Sequence, residues 1–492
     1  MAGLKSLLSQ TVVYGLPVIL GRFLNYLLVP LYTGIFIPAE YGVVTKLYAI
    51  AAFVNVVLTF GMETTFFRFA SQKNHDPEQV YATALNTVAI LALLFFGFTN
   101  MNVDQIAQAL KEGNHPEYIR WFSIILVFDA LSAIPLAGLR FQNKAKEFAT
   151  NRLINILSNI LFNLLFLLLM PYLLKKGFGY ITNIYKPEAG VLYIFISNAI
   201  SSFLSFVLLT KNLKALKSGI DFGIFPAMMR YSLPLLFVGF AGIVNETFDR
   251  VMLEYLLPEA SAKHQVGVYG ACYKLSIIMS LFIQAFRFAA EPFFFSQSAN
   301  KTAPTEYARV THYFALFCLF IFLLVSFYLD YFKLFIRNTA YYEGLPVVPI
   351  LLLANMFLGI YFNLSIWYKL SDKTLYGAYI SVAAAFITII LNWVSIPSMG
   401  YLGSAYTTLF VYAVMCIAAY QFGKKIYPVP YKVNAFLRYL SFGLFLYLIN
   451  LVLPQILGVL SLNMARGFML ILFLFIIYHI EKPNKRINSQ QK

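Results

Sequence analysis

The stretch Tyr41-Gly42-Val43-Val44-Thr45-Lys46-Leu47 returns 228 residues later as Tyr269-Gly270-Ala271-Cys272-Tyr273-Lys274-Leu275. Arg140, Lys144 and Asn163 return as Lys369, Lys373 and Asn392, each 229 positions on. Two matches chosen independently agree within one residue, so a large part of the chain is present twice. Tyr14-Gly15-Leu16-Pro17 answers to Tyr231-Ser232-Leu233-Pro234 at the shorter offset of 217. The segment Pro258–Gly267 is therefore expected to be a loop, longer than its counterpart at Pro38–Glu40.

Both copies are apolar enough to span a membrane. Of 492 residues, 60% are apolar and 12% charged, and the mean hydropathy is +0.72. A soluble domain carries roughly 25% charged residues. Apolar windows fall near 11–33, 42–62, 80–100, 118–139, 151–173 and 189–210, then near 229–256, 268–290, 308–329, 346–367, 375–396 and 401–421. Two more follow near 434–453 and 463–480. A spanning helix takes about 20 residues, so fourteen of them leave short loops and no room for a soluble domain.

The basic residues set the orientation. One set of loops holds Lys144, Lys146, Lys211, Lys214, Lys217, Lys369, Lys373, Lys424, Lys425 and Lys432, with Lys482, Lys485, Arg486 and Lys492 in the tail. The opposite set is sparser, although Lys175, Lys176 and Lys186 run against the trend. The positive-inside rule then makes both termini cytoplasmic, which requires an even number of helices. Each copy begins from the cytoplasmic side after six helices, so the copies run parallel and their symmetry axis lies along the membrane normal.

The expected fold is an all-α integral membrane protein of about 14 transmembrane helices. Residues 1–215 form an N-terminal six-helix lobe and 216–425 a second, related by a pseudo-two-fold axis. Residues 426–492 add two helices and a cytoplasmic tail. Two such lobes meeting at a central cavity are a common build for a secondary transporter.

Several chemistries are excluded or disfavoured. Cys272, Cys318 and Cys416 lie in apolar stretches without a CxxC or Cys/His cluster, so neither a disulfide framework nor a metal site is indicated. There is no nucleophile–base pair and no phosphate-binding glycine loop, so no cofactor, no direct ATP coupling and no enzyme activity are expected. The net charge of +16 is read as positive-inside loops rather than a nucleic-acid face, which would need a basic soluble domain. The opening run contains Arg22 and lacks a cleavage site, so it reads as a retained first helix rather than a signal peptide.

The organisation resembles the multidrug/oligosaccharidyl-lipid/polysaccharide exporter superfamily and, within it, the Wzx-like polysaccharide flippases. The resemblance is carried by Arg22 and Pro30 before Glu40-Tyr41-Gly42, and by Gly61 with Arg68. It continues in Tyr231, Pro234 and Asp249-Arg250 before Gly267-Val268-Tyr269, and in Asn392, Pro397 and Gly400-Tyr401-Leu402-Gly403-Ser404-Ala405. Drug/cation antiporters of the superfamily often carry an acid in the first helix, whereas residues 1–39 contain no Asp or Glu. The lipid II flippases share a basic cavity but carry a further motif after the first helix that is missing here. The resemblance implies flipping of an oligosaccharide on an undecaprenyl pyrophosphate carrier, by ion-coupled alternating access, in a bacterial inner membrane. It also implies membrane lipids as surroundings and a polysaccharide polymerase and glycosyltransferases as partners. A drug antiporter, a lipid II flippase and, from another class, a membrane glycan polymerase or ligase are the alternatives. The last of these would carry a large external loop.

A charge near mid-bilayer costs about 2.5–3.5 kcal/mol on insertion scales, so such residues face a wet cavity or find a partner. Arg22 and Asp129 are the deepest by position. Arg22 either contacts an anionic headgroup, which its bidentate fork suits, or pairs with Asp129. Lys46 and Lys274, equivalent in the repeat, either snorkel to the interface or flank a central pore, and Arg250 joins them as a candidate substrate contact. Glu246 and Asp249, one turn apart, are candidate coupling carboxylates, unless Asp249 pairs with Arg250. Arg140, Lys144, Lys369 and Lys373 either anchor cytoplasmic turns or capture pyrophosphate. His312 reads as an interface residue, and the match of Arg68 with Arg287 as coincidence.

Overall fold

The computed structural model describes residues 20–21, 23–183, 185–298 and 300–481. Among them there are helices and turns but no strands. We number the long helices α1 (Phe23–Ile35), α2 (Pro38–Ala70), α3 (Pro77–Met101), α4 (Pro116–Phe141) and α5 (Ala145–Lys175). Then come α6 (Leu192–Leu208), which turns through 67° into Thr210–Ser218, and α7 (Phe225–Leu256). The eighth is in two pieces, α8a (Glu259–Leu275) and α8b (Ile277–Gln297). The rest are α9 (Ala303–Phe327), α10 (Val347–Leu370), α11 (Leu375–Met399), α12 (Tyr401–Ile426), α13 (Val433–Gln455) and α14 (Val459–Glu481). Twelve of these helices are long and apolar enough to cross a membrane, and the bent pair at α6 makes a thirteenth. The shorter α1 takes up the second half of the first apolar window, and each later window has its helix.

The starts of several helices are written locally. Asp76 accepts the Glu78 amide at 3.1 Å, with Pro77 in the first turn, where its missing N–H costs nothing. Pro38 does the same for α2, and Glu40 reaches back to the Ile37 amide at 3.1 Å. Phe60 and Gly61 both adopt positive φ and break α2 into two segments.

Within the first copy, α3 packs on α4, and α6 lies against α4 and α5; within the second, α10 packs on α12, and α11 on α7 and α12. Helices α13 and α14 lean on α9 from outside the repeat. The sequence repeat is also a repeat of contacts. Arg140 bonds Glu63 at 2.9 Å, and Lys369 bonds Glu291 at 2.6 Å. Glu63 and Glu291 stand 228 apart. Each copy therefore ties its second helix to its fourth through equivalent residues. Arg287 also approaches Glu291, at 3.6 Å.

The segment Pro258–Gly267 corrects an expectation. It is not a long loop: α8a begins at Glu259 and runs straight through it. Glu259-Ala260-Ser261-Ala262-Lys263-His264-Gln265 is too polar to register as a membrane window. Its alanines, glutamate, lysine and glutamine are nonetheless good helix formers. Hydropathy reports solvent, not helicity.

Along this extension α8a crosses α2 at very short range. A Cβ on Gly42 would lie 2.0 Å from the Lys263 carbonyl oxygen, and one on Gly267 would lie 1.8 Å from the Pro38 carbonyl oxygen. Small residues that let backbones meet are how helices associate inside a membrane. This crossing joins the two copies at the face expected to be external.

Candidate functional site

A polar cavity of about 470 Å³ opens among α2, α4, α5, α6 and α7. Its charged lining is Glu63, Asp129 and Arg152, with Asn55, Asn155 and Asn198 among the neutral polar groups. Arg152 stands in the second turn of α5, so the cavity lies toward the turn joining α4 to α5, at the face expected to be cytoplasmic. Asp129 and Arg152 are both exposed within it. Asp129 Oδ1 accepts the Ser202 hydroxyl at 2.7 Å, and Arg152 feels both Asp129 and Glu63 electrostatically. Its guanidinium also sits 5.7 Å from the Phe148 ring centre. Asn198 donates to the Tyr48 hydroxyl at 2.6 Å. A guanidinium flanked by amides and hydroxyls in a wet cleft can hold a phosphate or a sugar hydroxyl.

Arg152 was not among the residues expected from sequence. The available signal was the polar stripe Arg152, Asn155, Asn159 and Asn163, spaced three or four apart on one face of α5. Asn163 ends that stripe, accepting the Tyr32 hydroxyl at 2.9 Å.

The expected site residues scatter. Arg22 lies outside the described residues, so neither its headgroup contact nor its pairing with Asp129 is described. Asp129 lines the cavity. Lys46 and Lys274, expected to be symmetric, have unlike surroundings: Lys46 is fully buried, whereas Lys274 is part-exposed in the last turn of α8a. Lys46 is closed off by Glu112 at 2.6 Å and Glu254 at 3.1 Å.

Arg250 and Asp249 form a local cluster. Arg250 Nη1 lies 3.4 Å from Asp249 Oδ1 and donates to the Glu246 carbonyl oxygen at 2.7 Å. The Tyr269 hydroxyl donates to Asp249 Oδ2 at 2.6 Å, and the Arg250 guanidinium lies 4.4 Å from the Tyr273 ring centre. Asp249 is thus engaged on both oxygens, while the Glu246 side chain is exposed. One helical turn earlier, Asn245 accepts the Thr388 hydroxyl at 2.9 Å and donates to the Ser381 carbonyl. These bonds join α7 to α11.

Of the remaining charges, His312 bonds Glu481 at 2.9 Å and tethers the end of α14 to α9. Arg68 and Arg287 both lie over aromatic rings, Tyr231 and Phe362, about 4 Å from the ring centres (4.1 and 3.9 Å). Among the described residues no group of three His, Cys, Asp or Glu could hold a metal ion.

The architecture has close likenesses among solved structures. A lipid II flippase, MurJ, in an inward closed conformation matches with a TM-score of 0.74 over 95% of this chain and 99% of that one, at 14% identity. An inward-facing multidrug resistance MATE family transporter of the MOP superfamily matches at 0.57, covering 89% and 96%, at 12% identity. An outward-facing structure of that family matches at 0.59, covering 86% and 98%, at 13% identity. This is a multi-pass membrane protein with the MOP-superfamily fold. The family model described as "Polysaccharide biosynthesis protein" matches residues 7–298, more than half of the chain, and the protein belongs to that family. No curated protein matches the sequence significantly.

Proposed function

We propose that the protein flips a lipid-linked oligosaccharide, carried on undecaprenyl pyrophosphate, across a bacterial inner membrane for surface polysaccharide synthesis. The observation that carries this reading is membership of a polysaccharide biosynthesis family in a chain whose Arg152-bearing cavity lies opposite a sealed lobe seam. In that reading the headgroup enters beside Arg152 and Asp129 and the lipid tail stays in the bilayer. The lobes then part at the α2–α8a crossing to expose it outside. Both termini lie in the cytoplasm, and a reporter fused at Lys492 that proved external would overturn that orientation. Glycosyltransferases that build the unit and a polymerase that consumes it are the partners this chemistry calls for.

Deleting the gene should stall a surface glycan and accumulate its lipid-linked unit on the cytoplasmic side. Normal surface glycan in a strain without a redundant flippase, together with new dye sensitivity, would instead favour a drug antiporter.

Arg152→Ala should lower flipping in reconstituted vesicles. A charge-assisted hydrogen bond contributes about 1.5–3 kcal/mol, which corresponds to roughly a ten- to hundredfold loss. Arg152→Lys should recover part of it, because the charge returns without the fork. Full flipping by Arg152→Ala would remove this residue from the headgroup site.

A further inference from the structure

At the outer end of the lobe seam the Lys46 ammonium of α2 is held by three oxygens. Glu112 Oε1 lies at 2.6 Å, the Leu110 carbonyl at 2.8 Å and Glu254 Oε1 at 3.1 Å. Leu110 and Glu112 belong to the connection between α3 and α4, on the same copy as Lys46. Glu254 stands in the last turn of α7, on the other copy. Both carboxylates are almost wholly buried. Glu112 Oε2 takes Lys263 Nζ of α8a at 2.9 Å, so all of Glu112 is satisfied. Glu254 is not: its Oε2 is buried and accepts no hydrogen bond.

The other groups facing Glu254 do not supply that bond. Lys111 Nζ donates to the Glu254 backbone carbonyl at 3.0 Å and lies over the Tyr255 ring. The Tyr255 hydroxyl donates across the seam to the Ala109 carbonyl at 2.7 Å. Lys263 is engaged by Glu112. Glu254 therefore depends on a cation that belongs to the opposite lobe.

We propose that Glu254 is a proton-binding latch for the outer gate. When the lobes part, Lys46 keeps Glu112, its partner in its own lobe, and leaves Glu254 behind. An ionised carboxylate stripped of its cation at so buried a position is costly. A proton from the external water forms an O–H bond on the carboxylate, removes its charge and gives the orphaned oxygen a donor role. Closing the seam returns the proton to external water as Lys46 takes its place. External acid then favours the open seam, and the ionised Glu254 holds it shut. The inference rests on the lobes parting at this face and is independent of which substrate is carried.

The test uses the full-length protein in lipid nanodiscs with its three cysteines replaced by alanine. Spin labels are placed at the exposed outer positions Asn114→Cys and Glu259→Cys, one on each lobe. Lowering the pH from neutral to mildly acidic should raise the long-distance, seam-open population several-fold. Adding Glu254→Gln should give a raised population that no longer responds to pH, whereas Glu112→Gln should keep the response. A distance distribution that ignores pH without any gate substitution overturns the proposal, whether or not the variants fold. So does a full pH response retained by Glu254→Gln. Failure of the substrate reading would appear separately, as normal surface glycan in the deletion strain.

Discussion

Lys46→Met is expected to destabilise the protein by about 3–5 kcal/mol, the cost of breaking a buried ion pair by removing one partner. Methionine matches the lysine stem in length and apolar contact, so the change isolates the charge. Lys46 is fully buried, and two carboxylates lean on it. Glu112 retains Lys263 at 2.9 Å and is partly protected. Glu254 loses its hydrogen bond from Lys46 while its other oxygen has no partner among the described residues. Most of the loss should therefore be charged to Glu254, and Lys46→Met combined with Glu254→Gln should recover more than half of it. The measurement is thermal unfolding in one detergent for the parent, both single variants and the double. A Lys46→Met protein that melts with the parent would show that the seam ion pairs contribute nothing net. Equal loss in the single and double variants would place the cost on Glu112 instead.

The fold was legible because its information is coarse. Window length and the recurrence of Tyr41–Leu47 at Tyr269–Leu275 need only hydropathy and self-comparison, and both survive poor boundaries. The lobe seam was not legible for a physical reason. Lys46 and Glu254 are 208 positions apart; Glu112 sits in a connection between apolar windows and Glu254 at the margin of one, where acids are ordinary. Nothing local distinguishes a carboxylate at a solvated helix end from one buried against the other lobe.

The repeat itself misled at Lys46. Equivalent positions in sequence suggested equivalent roles beside a pore, yet Lys46 is fully buried between Glu112 and Glu254 while Lys274 is part-exposed. Asp249 and Arg250 do lie together, 3.4 Å apart, the alternative the sequence left open, because adjacent residues constrain each other locally. Arg152 was hidden by its position near a turn expected to be cytoplasmic, where a basic residue is the default. Its helical register with Asn155 and Asn159 carried the message that its charge alone did not.

Gly267→Ala is expected to move the seam toward its open state more than any single change at an outer side chain. The added Cβ would fall 1.8 Å from the Pro38 carbonyl oxygen and 2.9 Å from the Gly42 amide nitrogen. Both are backbone atoms, so no rotamer change relieves the clash and the helices must separate. Overpacking of this kind costs about 1–3 kcal/mol, borne by the closed seam and absent once the helices part. A shift of that size changes the ratio of open to closed forms by roughly 5- to 150-fold. Gly270→Ala is the matched control three residues along the same helix. Its Cβ would meet Thr45 Oγ1 at 2.5 Å and Cγ2 at 2.6 Å, side-chain atoms that lie farther off than the Pro38 carbonyl oxygen does from Gly267, so the shift there should be smaller. Spin labels across the seam read both variants directly, and flipping assays should show Gly267→Ala impaired, because a transporter that cannot close one gate cannot complete its cycle. If Gly267→Ala keeps the parent's distance distribution while Gly270→Ala changes it, the backbone crossing is not what holds the outer face shut.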